Sequence, residues 1–355
     1  MDHLLIERVV MVVLIVCSIN KFSKAANASY QALFAFGDSI LDTGNNNLLP
    51  GFSKCNYPPY GRDFYGGKAT GRWSNGKVPT DLIAEAFGIK QTVPAYRDPL
   101  LKPEDLPTGV CFASGGSGAD PFTSTALQVI ALSAQVEMFK EYIGKLTATV
   151  GQQKASEIIS NSLVLLSAGN NDIAITYSQL HLRPMLFPQY TNLLIGWTTT
   201  FLNDIYALGV RHVWLLSTLP LGCLPGGRAT VGGLFCNEFA NGLATTYNSA
   251  LQQFANSIRT TNPSYDVQYA DVYTPLYSIA TNPAASGFID AAHGCCGGAA
   301  VAFGELCTVL TGQCLNPAQF VFWDFAHPTQ RSYEIMVASV MQKHAPRKQN
   351  SSLAS

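Results

Sequence analysis

The sequence predicts an α/β chain, a doubly wound parallel sheet flanked by helices. Three observations carry that expectation. Short apolar runs alternate with longer amphipathic ones, as in strands joined by helical crossovers. The first runs end in polar, glycine-containing turns, where open α/β sheets place their sites. No linker, charge block or repeat divides the roughly 330 residues after an N-terminal leader, a length α/β folds often reach as one unit.

The elements follow in order. Ala32-Leu33-Phe34-Ala35-Phe36 reads as a buried strand that Gly37-Asp38 breaks. Val78 to Phe87 reads as a helix with Pro79 in its first turn and Gly88 as a stop. Gln128 to Leu146 is a longer amphipathic helix, and Leu163 to Ser167 a strand that runs into Gly169-Asn170-Asn171-Asp172. A helix over Tyr190 to Leu208, a strand over Val210 to Leu219 ended by Pro220, a helix over Asn237 to Ile258 and a strand over Val267 to Val272 come next. Pro328 opens a last helix toward Gln342.

Residues 1–25 read as a signal peptide and 26–355 as one domain. The apolar run Val9 to Ile19 follows Glu7 and Arg8 and precedes the small-residue stretch Ser23-Lys24-Ala25-Ala26. It falls short of the roughly 20 apolar residues a membrane-spanning helix needs, so the mature chain is expected to be secreted, with no transmembrane segment. Asn27-Ala28-Ser29 and Asn350-Ser351-Ser352 are glycosylation sequons at Asn27 and Asn350. Lys and Arg total 22 against 23 Asp and Glu, with no basic patch, which argues against a nucleic-acid partner.

Of nine cysteines, Cys17 lies in the leader and eight remain, an even number that fits disulfides made in the secretory pathway. Cys223 and Cys236 bracket a glycine-rich excursion that a staple would hold. Cys295, Cys296, Cys307 and Cys314 are further candidates. A zinc site built on these four with His293 is the rival, but adjacent cysteines lack the spacer tetrahedral sites use. No metal or cofactor is expected. Pairing Cys55 with Cys111 would make the count close, and a buried free Cys111 is the alternative.

Phe36-Gly37-Asp38-Ser39-Ile40 and Asp324-Phe325-Ala326-His327-Pro328 together can supply a nucleophilic triad. A serine hydroxyl needs a base in hydrogen-bond reach and a third group to hold that base's tautomer. Ser39, His327 and Asp324 have that chemistry. The Gly-x-Ser-x-Gly elbow of α/β-hydrolases is missing around Ser39. Asp290-Ala291-Ala292-His293 repeats the Asp-x-x-His spacing, but His293 runs into Gly294-Cys295-Cys296-Gly297, whereas Pro328 gives His327 a defined exit into a helix.

On these motifs the chain resembles a plant-type GDSL esterase/lipase of the SGNH hydrolase superfamily, over nearly all of the mature sequence. Four blocks occur in the family's order: Phe36 to Asn47, Gly109 to Gly116, Gly169 to Asp172, and the segment holding Asp324 and His327. The resemblance implies a flavodoxin-like sheet, Ser39 as nucleophile, and an oxyanion hole of Ser39 N–H, Gly116 N–H and the Asn171 side chain. Ile40 stands where the family name has Leu, and Cys111 where Asn is usual, which leaves open whether Gly116 or Gly115 faces the oxyanion. The resemblance also places Gly294 to Gly297 and Cys307 in one loop region.

The function expected is a secreted esterase/lipase acting on acyl lipid esters, similar to the plant extracellular-lipase branch, with a cell-wall or pollen-coat location. An acyltransferase using the same acyl-enzyme and a silent lipid-binding protein are the alternatives.

Overall fold

The computed structural model describes residues 30–297 and 307–344. The leader, Asn27 and Asn350 lie outside them. Strands β1 (Ala32–Gly37), β2 (Ser162–Ser167), β3 (His212–Leu216) and β4 (Asp266–Ala270) form one parallel sheet in that order. Ala32 pairs with Ser162, Leu163 with His212, and His212 with Asp266. Every residue of β1 and β2 is buried, which is why both read as continuous apolar runs.

The sheet gains a further edge at Cys111, which bridges Ala35 in parallel, with Phe112 N–H donating to the Ala35 carbonyl at 2.7 Å. Counted along the chain this edge comes second, so the spatial order is 2-1-3-4-5. That is the flavodoxin-like winding, and its switch point falls between β1 and β2.

Of the helices, α1 is Pro79–Ala86, α2 Pro121–Leu127, α3 Leu132–Val150, α4 Gln152–Ser160, α5 Phe187–Ala207, α6 Pro225–Ala229, α7 Glu238–Thr261 and α8 Tyr273–Thr281. A short parallel pair, β5 (Asp290–Gly294) and β6 (Phe320–Phe322), precedes the last helix, α9 (Gln330–His344). Helices α3, α5 and α7 pack side by side as one layer, and α1, α9 and α8 as another. Among the described residues no helix is long and apolar enough to cross a membrane.

The helix expected from Gln128 to Leu146 starts later, and a short helix that was not expected precedes it. Asp120 accepts from Phe122 N–H and caps α2, Gln128 turns left-handed at φ 55° to end it, and α3 starts only at Leu132. The disulfides are Cys223–Cys236, Cys295–Cys314 and Cys296–Cys307. The expected Cys55–Cys111 bond is absent, because the two thiols are buried in different apolar clusters. Cys111 Sγ faces the Leu41 carbonyl at 3.2 Å and burial pushes its pKa up to about 12, whereas Cys55 packs with Tyr60, Trp73 and Trp323.

Candidate active site

Ser39 sits just past the carboxyl end of β1, beside the switch point. The turn that presents it is held from three sides. Gly37 takes φ +110°, and a Cβ there would overlap the Ser167 carbonyl, so only glycine fits. Gln135 on α3 accepts the Gly37 N–H at 2.7 Å and donates to its carbonyl at 3.0 Å. The Asp38 carboxylate accepts Ile40 N–H at 3.1 Å and Asn170 Nδ2 at 2.9 Å, and burial raises its pKa to about 6.

His327 arrives from the far end of the chain. Its Nε2 lies 2.8 Å from Ser39 Oγ and its Nδ1 2.9 Å from each oxygen of Asp324. Asp324 Oδ1 also accepts the N–H groups of Ala326 and His327, both at 2.8 Å, closing a turn that fixes the aspartate against the histidine. Tyr60 donates its hydroxyl to Asp324 Oδ2 at 2.7 Å. Burial alone would raise the Asp324 pKa, but the neighbouring His327 and these donors outweigh it and hold the carboxyl below its ordinary value. The Trp73 ring lies against the imidazole, centroids 4.9 Å apart.

The loop carrying Asp324 is pinned from behind. Cys295 N–H donates to Phe322 O at 2.9 Å and Cys296 N–H to Trp323 O at 2.7 Å. Gly294 lies so close to Asp324 that a Cβ would stand 2.9 Å from its backbone. Two disulfides therefore clamp the strand on which the acid rests, and they occupy the cysteines that the zinc alternative needed. No group of three or more His, Cys, Asp or Glu side chains among the described residues could hold a metal.

Ser39, Gly116 and Asn171, the expected donors to an oxyanion, all border the same cavity. The N–H groups of Ser39 and Gly116 have no partner among the described residues, Gly116 being held at φ +91°. Asn171 Nδ2 donates to Ser117 O at 2.8 Å, which uses one of its two hydrogens and leaves one for a ligand. Gly115 is ruled out as the donor because its N–H is taken by Asp42 Oδ2 at 2.9 Å, while its carbonyl accepts from Asn46 Nδ2 at 2.7 Å and Ser53 Oγ at 2.9 Å. Asp42 thus sets which glycine is free. Asp172 fixes the neighbouring loop, accepting from Ala119 N–H at 2.8 Å, Asp120 N–H at 3.0 Å and Thr123 Oγ1 at 2.6 Å. Burial raises Asp42 and Asp172 to about 6 each.

Ser39, Gly116, Asn171 and His327 line one cavity of about 540 Å³, whose remaining walls are mainly apolar. Among the described residues no Lys, Arg, Asp or Glu side chain lines it. A second cleft, of about 690 Å³, lies beside Asp290 and His293. Asp290 accepts Ala292 and His293 N–H at 2.8 and 2.9 Å and His293 Nδ1 lies 3.0 Å from its other oxygen, the same turn as at Asp324. His293 is exposed, and no hydroxyl among the described residues bonds to it.

Tyr60, Gln135, Asp42 and Trp73 are the site residues that sequence reasoning missed. Asp42 was within reach, lying in the block that begins at Phe36. Nothing local marks Tyr60 as a partner of Asp324, because 264 positions separate them.

The family model for GDSL-like Lipase/Acylhydrolase matches residues 33–340. Among curated proteins, the GDSL esterase/lipase At1g73610 of Arabidopsis thaliana is 48% identical over 89% of this chain and 90% of its own. The GDSL esterase/lipase EXL3 of the same plant is 44% identical over 88% of this chain and 87% of its own. A solved lipase, Lip_vut3 from a goat rumen metagenome, covers 89% of this chain and 98% of its own at a TM-score of 0.38 and 12% identity, too distant to bear on the site. The family match takes in Ser39, Asp324 and His327, and with two plant relatives above 40% identity over most of its length the chain belongs to the GDSL lipase/acylhydrolase family.

Proposed function

We propose that this carboxylic ester hydrolase cleaves acyl lipid esters through a Ser39 acyl-enzyme. The observation that carries the reading is the unbroken chain Ser39 Oγ, His327 Nε2, His327 Nδ1, Asp324, opening onto an uncharged apolar cavity. Ser39 Oγ attacks the ester carbonyl while His327 Nε2 takes its proton. Asp324 holds the Nδ1–H tautomer and stabilises the imidazolium. The oxyanion sits on Ser39 N–H, Gly116 N–H and Asn171 Nδ2, donors of which each is typically worth about 3 to 4 kcal/mol in such holes. Collapse returns the proton to the leaving alcohol. Water, deprotonated by His327, then attacks the acyl group, and Ser39 is regenerated with release of the acid.

Three disulfides support a reading of the protein as secreted, since such bonds persist in oxidising compartments. Purified protein should be labelled by a fluorophosphonate at Ser39, and Ser39→Ala should be neither labelled nor active on p-nitrophenyl esters. His327→Ala should lose several orders of magnitude in kcat, as serine triads do without their base. His293→Ala should retain activity. Normal acylation of His327→Ala beside an inert, folded His293→Ala would reverse the assignment of the base.

A further inference from the structure

Resting on the ester-hydrolase reading, we propose that Trp73 is a positioning residue for that reaction: its indole face meets the His327 imidazole and stabilises the positive charge this ring takes on. The planes of the two rings make an angle of 33° and their centroids lie 4.9 Å apart, so His327 rests on the face of the indole, whereas Phe325 meets the imidazole edge-on at 6.3 Å and 79°. The closer distance is inside the roughly 6 Å over which a cation is drawn to an aromatic ring, and indole has the strongest such face among the side chains.

The placement is built from both ends of the site. Trp73 is buried and borders the Ser39 cavity. Ser74 Oγ donates to Pro328 O at 3.1 Å and Asn75 Oδ1 accepts Gln330 N–H at 2.9 Å, so the residues after Trp73 are tied to those after His327. A Cβ on Gly115 would overlap indole Nε1, so glycine there makes the room the ring occupies. Arg72 is turned away, with its guanidinium on Asp81 at 2.7 and 2.8 Å, which leaves the indole face to His327. The Nε1–H is buried with no partner among the described residues, and the face is the part of the indole that meets the reacting group.

This face acts only when charge appears. As Ser39 Oγ bonds to the ester carbonyl carbon, its proton passes to His327 Nε2 and the carbonyl electron pair moves onto the oxygen. Asp324 answers the new positive charge at Nδ1, and Trp73 answers it across the ring. A neutral imidazole gains little from the same contact, so the indole lowers the barrier without tightening substrate binding. Its effect belongs in kcat and not in KM.

The test replaces Trp73 alone in the full chain, by nonsense suppression, with mono-, di-, tri- and tetrafluorotryptophan, and measures kcat and KM on dissolved p-nitrophenyl butyrate. Fluorine drains negative charge from the ring face and leaves the shape of the ring nearly unchanged. kcat should fall stepwise to about a tenth for the tetrafluoro ring, with KM within about twofold, and the rate of fluorophosphonate labelling at Ser39 should fall in parallel. Trp73→Leu should lose at least about tenfold in kcat, and Trp73→Phe, which keeps a face, should recover most of it. The proposal is overturned if kcat is the same across the fluorinated series, which would make Trp73 a packing residue. It is equally overturned if kcat rises along the series, since fluorine acidifies the N–H and a rise would reveal a hydrogen-bond donor, or if only KM moves, the mark of a wall that binds substrate. Parent protein that neither hydrolyses the ester nor takes the label would refute the hydrolase reading and this role with it, whereas a flat series in an active parent refutes the role alone.

Discussion

Tyr60 is the outermost member of the hydrogen-bonded line that runs through Asp324 and His327 to Ser39. Its hydroxyl fixes the carboxylate oxygen that also meets His327 Nδ1, so its loss should loosen the alignment of Asp324 with the imidazole. Tyr60→Phe is therefore expected to lower kcat about tenfold, the scale of one hydrogen bond to a charged group. Because Asp324 also loses a donor that lowers its pKa, its carboxyl should protonate at higher pH and the acidic limb of kcat/KM should move up with it, with KM unchanged. A pH profile that superimposes on the parent's would make Tyr60 a space-filling residue only. At this scale the meeting of Ser39, His327 and Asp324 was legible and that of Tyr60 with Asp324 was not. Ser39, Asp324 and His327 each lie in a motif whose neighbours set the local turn, whereas Tyr60 and Gln135 act through contacts that exist only once distant segments meet. The repeated Asp-x-x-His makes the same point: both copies fold into one kind of turn, and burial beside Ser39 separates the later copy from the exposed one.

The β5–β6 pair links disulfide chemistry to the site. Cys295 and Cys296 end the segment whose amides hold Phe322 and Trp323, so opening their bonds frees the backbone under Asp324. Removing Cys295–Cys314 by paired Cys295→Ser/Cys314→Ser should cost about 2 to 4 kcal/mol of stability and a larger share of kcat than the matching Cys223→Ser/Cys236→Ser change. Thermal melts and fluorophosphonate labelling rates would check both; equal activity losses would mean that the clamp acts on the fold alone. Elements with one long apolar stripe and a clear cap, such as α7 behind Asn237, followed from the sequence. The break at Gln128 did not, because Leu127, Val129, Ile130 and Leu132 continue the apolar pattern across a residue whose left-handed backbone only its surroundings impose. Nor did β5 and β6, which are too short to show a period.

Across the whole molecule, three buried carboxylates, Asp38, Asp42 and Asp172, brace the loops that meet at the cavity. Each has its pKa raised by burial from 3.8 to about 6. The folded state therefore binds more protons than the unfolded one between these values, so their contribution to stability is complete below about 3.8 and is lost as pH rises through about 6. Urea midpoints near pH 5 should accordingly be no lower than near pH 7. A clear fall toward pH 5 would show these groups ionised well below that range in the fold. The sheet itself was legible as parallel because buried strands alternate with crossover-length helices. Its edge was less so, since Cys111 joins β1 through one bridge rather than a strand long enough to pattern.

The 288 positions between Ser39 and His327 also bear on synthesis. In the proposed mechanism the nucleophile leaves the ribosome early, and all four strands of the main sheet are complete by Ala270, yet neither base nor orienting acid exists until Asp324 and His327 have been added. On that mechanism a chain terminated before Asp324 is inert toward esters however much of its sheet it has made. Esterase power arrives only once His327 has been added.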